Sequence, residues 1–542
     1  MGNRPYFGAI PHMKTTPLGP FLGVNNRLPD FALHVDKQGD FLRSAMNLDV
    51  DNAGRLRVRR GVTLVQAMTA PHSIHMTSAT TGLLVRASVL YSFDVSGSYT
   101  EALVKTLASN ARVYWETWNG DSYYSNGTDS GRISAVGAWF PWGMGTPSMP
   151  AVATIAGTLE PGDYQVALTY INTTTGEESG CQGYSLERLT SAGGLRVTLP
   201  GASAGATHIN VYCSPTNGGV PLLQTAVAIG APYADITATV TTGRQCQTLY
   251  EEPLPAGTQV AMVNGRLCCA SGSRAYIGKP YRPGYYLPSE GYIDFEADIS
   301  NIVPAQGGTY IVADKTRWFA GTDLMKPDTI SDVLPYGGVA GTRYADPTNS
   351  KVGWFSHAGW VVADPNGQAE AVMSDNIDLP SIPASGYAAV LQTEGYMRVI
   401  GCGWTLSLDN LSATQTSLAM TSASGNYGTM ADGVYFLDGE SDAVEWSCDF
   451  GRINFGTEGI KRLPAVYVGA ESLAKLVLSI GLPDETEWDY EARSCSDSLK
   501  IHRFDIGRGL RANWFNLSLP TQIGGATIAS LSFADVQTNR RI

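Results

Sequence analysis

The chain has 542 residues and a formal net charge of −12, and only 16% of its residues are charged. The negative charge argues against a surface built for nucleic-acid phosphates, and no apolar stretch approaches the roughly 20 residues that cross a bilayer. Glycine is abundant at 60 residues and aromatic residues reach 10%, which is typical of a protein with many turns and half-buried strands. We therefore expect an all-β scaffold without a membrane span.

Residues 1–40 are rich in proline and glycine and show no helical periodicity. A segment of this composition cannot build a hydrophobic core of its own. We interpret it as an extended N-terminal arm that becomes ordered only when it lies along a neighbouring chain.

A hairpin is predicted next, over residues 46–61. Apolar residues alternate up to Val50, a turn follows at Asp51–Gly54, and the alternation resumes at Leu56. Asp49 and Asp51 echo the start of a calcium loop, but the later bidentate glutamate is absent, so we predict no metal there. The returning strand is crowded with arginines, which indicates either a solvated strand face or a polar contact with a partner subunit: Arg55, Arg57, Arg59 and Arg60.

Short strands continue over residues 41–149, and the pattern changes at about residue 150. Residues 150–255 contain about five to seven alternating runs joined by short turns, a density typical of immunoglobulin-like and fibronectin-type sandwiches. The segment ends at Glu251–Pro255, which we interpret as a linker. We predict a small β-sandwich inserted into the surrounding sequence.

Residues 256–460 return to strands of about five residues separated by tight turns. Asn264-Gly265 lies between two apolar runs and predicts a two-residue hairpin. A meander of such hairpins is typical of a β-propeller blade, so residues 41–149 and 256–460 are interpreted as two parts of one β-propeller core. Residues 461–542 indicate a separate C-terminal antiparallel β domain.

Catalytic and metal-binding patterns are weak. Gly201–Gly205 matches GxSxG around Ser203, but a strand rather than a helix is expected after it, which does not suit a nucleophile elbow. His72 and His75 are the only close histidine pair, and the eight cysteines contain no CxxC, so we expect free thiols and no zinc site. Several carboxylates that a glycosidase would need lie in turn-like contexts: Asp364, Asp432, Asp438, Glu440 and Asp442. We predict no catalytic, metal-binding or cofactor-binding residue and no enzymatic activity.

Aromatic residues could form a sugar-binding platform, although such residues more often fill the space between blades. We favour the packing interpretation for Tyr285, Tyr286, Tyr292, Trp354, Trp360 and Trp404.

Several strings, taken in order, resemble bacteriophage tail proteins of the stabilisation, hub or nozzle type. Gly23-Val-Asn-Asn26 precedes the hairpin that runs from Asn47-Leu-Asp49 to Arg60-Gly61, and Gly265–Pro280 is similar to the central propeller of these proteins. Asp449-Phe-Gly451, Lys461–Leu463, Ile506–Arg511 and the C-terminal Arg540-Arg541-Ile542 look like their C-terminal β domain.

The resemblance implies a structural virion protein that forms a ring, expected to be a hexamer, around the DNA exit channel. Its partners would be other tail proteins, namely the tail tube, adaptor or portal-side proteins and tail fibres, while genomic DNA would only pass through the channel. It would be synthesised in the host cytoplasm and located in the virion. The alternative from a different class is a carbohydrate-binding or glycan-cleaving surface protein.

Overall fold

The computed structural model describes residues 14–34, 38–238, 241–348, 350–393, 395–440, 443–455, 459–507 and 510–537. Within these ranges the secondary structure consists of strands and a single 3-10 turn, Asp30–Ala32, without an α-helix. The all-β prediction is confirmed. Two compact units divide the chain: the first combines residues up to 76 with 338–364 and 369 onward, and the second comprises 77–337 and 365–368.

The beginning of the first unit contains eight short strands. β2 pairs in parallel with β3, and β5 pairs with β6 as the predicted hairpin. The strands are β1 Lys14–Leu18, β2 Phe21–Val24, β3 Asp40–Leu42, β4 Ser44–Met46, β5 Leu48–Val50, β6 Leu56–Val58, β7 Gly61–Ala67 and β8 His72–Met76.

The second unit starts with two antiparallel meanders. The first runs in the order β9-β10-β11 and the second in the order β12-β13-β14-β15. Their strands are β9 Thr81–Arg86, β10 Val89–Asp94, β11 Thr100–Thr106, β12 Tyr114–Trp118, β13 Asp121–Ser125, β14 Ser130–Ile133 and β15 Trp139–Phe140.

Two sheets then share one hydrophobic cluster. Buried Leu195 and Val197 of the first sheet pack in the same cluster as Leu168 and Val211 of the second. The strands are β16 Val152–Leu159, β17 Gly162–Ile171, β18 Tyr184–Leu189, β19 Gly193–Thr198, β20 His208–Cys213, β21 Leu222–Ala228 and β22 Tyr233–Ile236. The sheet orders are β16-β19-β22 and β18-β17-β20-β21.

The second unit continues with two four-stranded antiparallel sheets, β24-β25-β26-β28 and β29-β30-β31-β32. The predicted turn between β24 and β25 is confirmed: Asn264 and Gly265 have φ of 46° and 76°, the left-handed pair that a two-residue hairpin needs. The strands are β23 Glu252–Pro253, β24 Gln259–Val263, β25 Arg266–Ser271, β26 Arg274–Ile277, β27 Tyr285–Tyr286, β28 Tyr292–Asp294, β29 Asn301–Ala305, β30 Gly308–Val312, β31 Thr316–Ala320 and β32 Ile330–Leu334.

Three further four-stranded patterns belong to the first unit. One sheet follows the order β33-β34-β35-β36, β37 to β40 form a consecutive meander, and the early strand β7 completes the sheet β41-β42-β43-β7. The strands are β33 Tyr344–Ala345, β34 Val352–Ser356, β35 Gly359–Ala363, β36 Ala369–Ala371, β37 Ala389–Thr393, β38 Tyr396–Gly401, β39 Trp404–Ser407, β40 Ala413–Gln415, β41 Ser422–Ser424, β42 Tyr427–Met430 and β43 Gly433–Gly439.

The last strands join both ends of the chain. A seven-stranded sheet has the main order β48-β45-β51-β6-β5, with β1 paired to β51 and β49 to β45, while β4 links β40 to β44-β50-β46-β47 in a nine-stranded sheet. Both sheets contribute to the largest hydrophobic cluster of the first unit. The strands are β44 Glu445–Ile453, β45 Lys461–Ser472, β46 Val477–Gly481, β47 Glu487–Glu491, β48 Ser496–Asp505, β49 Arg511–Ala512, β50 Phe515–Ile523 and β51 Ala526–Gln537.

The prediction that residues 1–40 contribute to no core of the chain itself is wrong for part of that arm. β1 pairs with β51, and the side chains of Leu18, Phe21 and Val24 are buried in the largest cluster. The missing element of the prediction was the partner strand, which lies some 500 residues away in sequence. Residues 1–13 and 35–37 lie outside the described residues. The predicted domain boundaries at 40, 149, 255 and 460 stay predictions.

Candidate interaction surface

The turn of the β5–β6 hairpin is built by one carboxylate. Oδ1 of Asp51 accepts hydrogen bonds from the backbone N–H of Ala53 at 2.9 Å and of Arg55 at 3.0 Å. Gly54 follows with φ of 72°, which a glycine adopts without steric cost. The predicted hairpin is confirmed, and this turn leads into the strand that carries the arginines.

The four arginines of this strand differ in their surroundings. Arg55 and Arg57 place guanidinium nitrogens 2.8 and 3.8 Å from Oδ2 of Asp51, and Nε of Arg60 lies 3.3 Å from Oδ1 of Asp438. Arg59 is only 7% exposed, and burial lowers its pKa to about 10. Arg59 is thereby removed from the predicted contact surface, whereas a partner contact of Arg55, Arg57 and Arg60 stays a prediction.

Asn47 holds this hairpin against strand β44 and against the segment that follows β40. Its Oδ1 accepts a hydrogen bond from Nε of Arg59 at 3.0 Å and from the backbone N–H of Ser417 at 3.0 Å, while its Nδ2 donates to the carbonyl oxygen of Glu445 at 2.7 Å. Asn47 has φ of 57°, a left-handed conformation that asparagine tolerates better than most residues. The Asn-Leu-Asp string of the hairpin thus has a structural role.

Asp49 forms a buried ion pair that the sequence did not predict. Its Oδ2 accepts a hydrogen bond from Nη1 of Arg398 and one from the hydroxyl of Tyr396 at 3.3 Å. Burial is the largest single influence on the pKa of Arg398 and lowers it, but the charge and hydrogen bond of Asp49 act together with Tyr396 and Asp438 and raise the pKa above its ordinary value. The sequence shows one charged residue within each of two apolar strands, but it does not show that these two residues pair with each other.

Arg57 and Arg60 line a pocket of about 270 Å³ beside the hairpin. Tyr396, Glu471 and Asp497 are among its other polar lining residues, and Leu473 adds an apolar edge. Two guanidinium groups and two carboxylates in one small pocket can bind polar groups of either charge. The arrangement suits a side chain or a backbone segment of another protein.

The same unit carries apolar side chains on an edge strand. β48 ends its sheet, and its residues alternate so that His502 and Phe504 point inward while Leu499 and Ile501 are 52% and 74% exposed. Leu473 and Trp488 are further exposed apolar residues of this unit. Exposed apolar residues on an edge strand mark a site where another chain can dock. We call Leu499 and Ile501 the β48 face.

Several of the remaining sequence candidates that the structure describes lie in loops, turns or ion pairs. Ser203 stands between β19 and β20, so no helix follows it and the nucleophile-elbow context is absent at this place. The described residues contain no group of three metal-ligating side chains. Asp432 accepts a hydrogen bond from the Tyr435 hydroxyl at 2.8 Å, Asp438 pairs with Arg60, and Asp442 lies outside the described residues.

Most of the candidate sugar-binding aromatics are packed inside. Tyr285, Trp354, Trp360 and Trp404 are buried, as the packing interpretation predicted. Tyr286 and Tyr292 are partly exposed, and the guanidinium of Arg274 covers the Tyr292 ring at 4.2 Å. The alternative interpretation, in which these six residues form one continuous sugar-binding surface, is therefore wrong.

None of the eight cysteines forms a disulfide bond. Burial raises the pKa of Cys448 and Cys269, which keeps these thiols protonated and unreactive.

The comparisons with known proteins do not assign this chain to a family. No family model matches the chain, and the curated proteins give no match. Among solved structures, the chain is similar to a WD40 β-propeller domain of Doa1, with 8% identity over 62% of this chain and 93% of that one and a TM-score of 0.26. It is also similar to YCF48 bound to a D1 peptide, with 9% identity over 63% and 92% and a TM-score of 0.26.

A third similar structure is BBS1N in complex with ARL6DN, with 13% identity, 70% and 97% coverage and a TM-score of 0.29. An exo-β-1,3-galactanase from Phanerochaete chrysosporium is matched with 11% identity, 88% and 100% coverage and a TM-score of 0.17. Scores this low carry no functional argument. No helix among the described parts of the chain is long and apolar enough to cross a membrane.

Proposed function

We propose that the chain is a structural virion protein of a bacteriophage tail, of the nozzle or hub type. It forms a ring, a hexamer, around the DNA exit channel, and it attaches neighbouring tail proteins or fibres. The ordered series of motifs that resembles such proteins supports this proposal. The observation that carries it is the β48 face, because this face places exposed apolar side chains on an edge strand.

The architecture in this proposal is a β-propeller core with an inserted sandwich and a C-terminal β domain. Successive four-stranded antiparallel sheets support the propeller, since each such sheet has the form of a blade. The two sheets of β16–β22 support the sandwich because their inward residues share one cluster. The C-terminal domain is supported by the pairing of β45 with β48 and β51, in a sheet that also contains the N-terminal strands β1, β5 and β6.

The β48 face fits a second copy of this chain. Ile501 stands opposite Gly469 of β45, and a glycine has no side chain that could cover it. Arg503 is exposed and lies two residues further along on the same side of the strand, which places a charged group beside the apolar centre. If each copy contacts the next through two different surfaces, the copies form a row. The row closes into a ring when a whole number of the rotations between neighbours adds up to 360°.

The pocket beside the hairpin is the proposed attachment point for a neighbouring tail protein. Arg57 and Arg60 present guanidinium groups that bind carboxylates and carbonyl oxygens in bidentate geometry. Their present carboxylate neighbours lie at 3.8 and 3.3 Å, so a partner carboxylate can compete for these donors.

The test is quantitative mass spectrometry of purified particles of the phage whose genome encodes this sequence. We expect peptides from this chain at a fixed ratio of about six copies per particle, since closed cyclic symmetry fixes the count. Their absence from washed particles would contradict the proposal. Glycan cleavage by the purified chain would favour the alternative of a glycan-active surface protein.

A further inference from the structure

A cleft lies between the first two meanders of the second unit. Its volume is about 730 Å³, within the range of roughly 300–1,000 Å³ that is typical of small-molecule sites. One wall comes from strands β9 to β11, and the other comes from β13, β14 and the turns beside them. All of the lining residues lie between positions 77 and 137, inside one compact unit. We call this space the meander cleft.

The register of the strands explains why the cleft is open. Leu83 of β9 and Ile133 of β14 belong to the hydrophobic cluster that joins the two meanders, and both also line the cleft. Ser92 stands opposite Leu83, and Ala102 stands opposite Ser92, so the first wall continues with small side chains. Ser122 stands opposite Ile133 on the second wall. Because short side chains on both walls cannot fill the gap, space remains beside the cluster.

A row of polar side chains crosses the outer part of the first wall. Asp94 of β10 stands opposite Thr81 of β9 and Thr100 of β11, so the three side chains project from one face of the sheet. Oδ1 of Asp94 accepts a hydrogen bond from the backbone N–H of Ser96 at 2.7 Å, which orients the carboxylate. Hydrogen bonds from the backbone N–H and the side chain of Ser96 lower the pKa of Asp94. The row therefore presents an ionised carboxylate between two hydroxyl groups.

A second carboxylate of the lining, Glu101, is held by two contacts. Its Oε1 accepts a hydrogen bond from Nη2 of Arg86 at 2.6 Å, and its Oε2 accepts one from the hydroxyl of Tyr99 at 3.1 Å. Among the described residues that line the cleft, seven carry a hydroxyl group and none is lysine, arginine or histidine. The cleft is thus rich in hydroxyl groups, and its only charged lining groups are acidic.

This lining selects the chemistry of a ligand. Serine and threonine hydroxyls donate and accept hydrogen bonds while a carboxylate accepts them, and this combination suits a molecule that is covered with hydroxyl groups. An anionic ligand would meet the carboxylates of Asp94 and Glu101 without a basic lining residue beside them. Val136 lies at the rim with 90% of its side chain exposed, and together with Ile133 it offers apolar surface to C–H groups.

We propose that the meander cleft binds a neutral oligosaccharide. Asp94 accepts hydrogen bonds from sugar hydroxyl groups, the serine and threonine side chains complete the polar contacts, and Val136 packs against ring carbons. This is a glycan-binding function in addition to the proposed role in the tail, and it rests on the cleft alone.

The experiment measures binding of the purified full chain to an array of immobilised oligosaccharides. The array carries neutral chains of hexoses and N-acetylhexosamines together with fully sulfated forms of the same chains. We expect binding to a neutral chain. Its sulfated form should bind at least about tenfold more weakly, because like charges that face each other oppose binding.

Three variants locate the binding to the cleft. Ala102→Trp places an indole inside the cleft and should abolish binding. Leu103→Trp is the matched control and should retain it, since Leu103 is the next residue of β11, is 63% exposed and points to the opposite face. Asp94→Asn keeps an acceptor for the Ser96 N–H but removes the charge. It should weaken binding by about 5- to 10-fold, because charge-assisted hydrogen bonds are roughly twice as strong as neutral ones.

Hydrogen exchange of the wild-type chain gives a readout that does not depend on how the variants fold. The bound neutral chain should slow exchange of amides in residues 92–102 and 133–137 and leave strand β25 unchanged. Failure to bind any neutral chain, tighter binding of the sulfated forms, protection outside the cleft alone, or binding that Ala102→Trp leaves intact would overturn the proposal.

Discussion

Asp49 and Arg398 form an ion pair whose side chains are only 3% and 1% exposed. The two residues stand 349 positions apart in sequence, and they join the β5–β6 hairpin to strand β38. Loss of one partner leaves the other charge buried without compensation. This pair therefore makes the hairpin a part of the first unit.

We expect Arg398→Met to lower the free energy of unfolding of the first unit by about 3–5 kcal/mol. The double variant Asp49→Leu/Arg398→Met should recover much of this loss because no unpaired charge remains. Urea unfolding followed by tryptophan fluorescence measures both. Lys475→Ala removes an ion pair to Glu491 that is 45% and 61% exposed, so this control should change stability by less than about 1 kcal/mol. Equal effects of Arg398→Met and Lys475→Ala would refute the structural role.

The N-terminal segment should contribute to stability in the single chain. Phe21 is 1% exposed, so Phe21→Ala should cost about 3–5 kcal/mol. Phe31 is 65% exposed, and Phe31→Ala should stay within about 0.5 kcal/mol. The two variants and the wild type are compared by thermal unfolding at one protein concentration, because assembly makes the melting temperature depend on concentration. Similar melting temperatures for the two variants would show that the segment is not packed as described.

Gly54 tests the contact between the hairpin turn and the N-terminal segment. A Cβ at Gly54 would lie 2.4 Å from Cβ of Pro20, whereas a Cβ at Gly265 would have no atom within 4 Å. Both glycines have positive φ, so Gly265→Ala should show only the backbone cost of about 1–2 kcal/mol. We expect Gly54→Ala to be more destabilising and to speed proteolysis of the N-terminal segment. Equal losses of stability in Gly54→Ala and Gly265→Ala would exclude a steric contribution at Gly54.

His75 should make stability depend on pH. Burial, with a smaller effect of the Arg343 charge, lowers its pKa from the ordinary 6.5 to about 4. The unfolded chain binds the proton more tightly, so the contribution of His75 is complete above pH 6.5 and is lost as the pH falls toward 4. We expect a loss of about 1–3 kcal/mol, since one pKa unit corresponds to about 1.4 kcal/mol.

The measurement for His75 is the melting temperature at pH 7 and at pH 4.5 for the wild type and for His75→Gln. The wild type should lose more stability on acidification than the variant. Parallel losses in the two proteins would contradict the assignment to His75.

Local sequence chemistry predicted the turns well, and pairing between distant strands could not be predicted. Asn264-Gly265 carries its own conformational preference, so the hairpin was evident from two residues. Strand β1 has its partner in β51 at the other end of the chain, and no local pattern contains that information. The same reason explains Asp49 and Arg398, where each charge interrupts an apolar strand and the partner is set by the tertiary fold. The arginine-rich strand was recognised, but the burial of Arg59 depends on Asn47 and its neighbours.

Native mass measurement of the purified full chain tests assembly through the β48 face. The wild-type chain should form a closed oligomer of about six copies, and Ile501→Asp should shift it to monomer because a charge replaces an apolar side chain in the contact. Ile330→Asp changes a residue of the second unit that is 57% exposed, and this control should leave the oligomer intact. A monomeric wild-type chain, or an oligomer that Ile501→Asp does not weaken, would contradict the account.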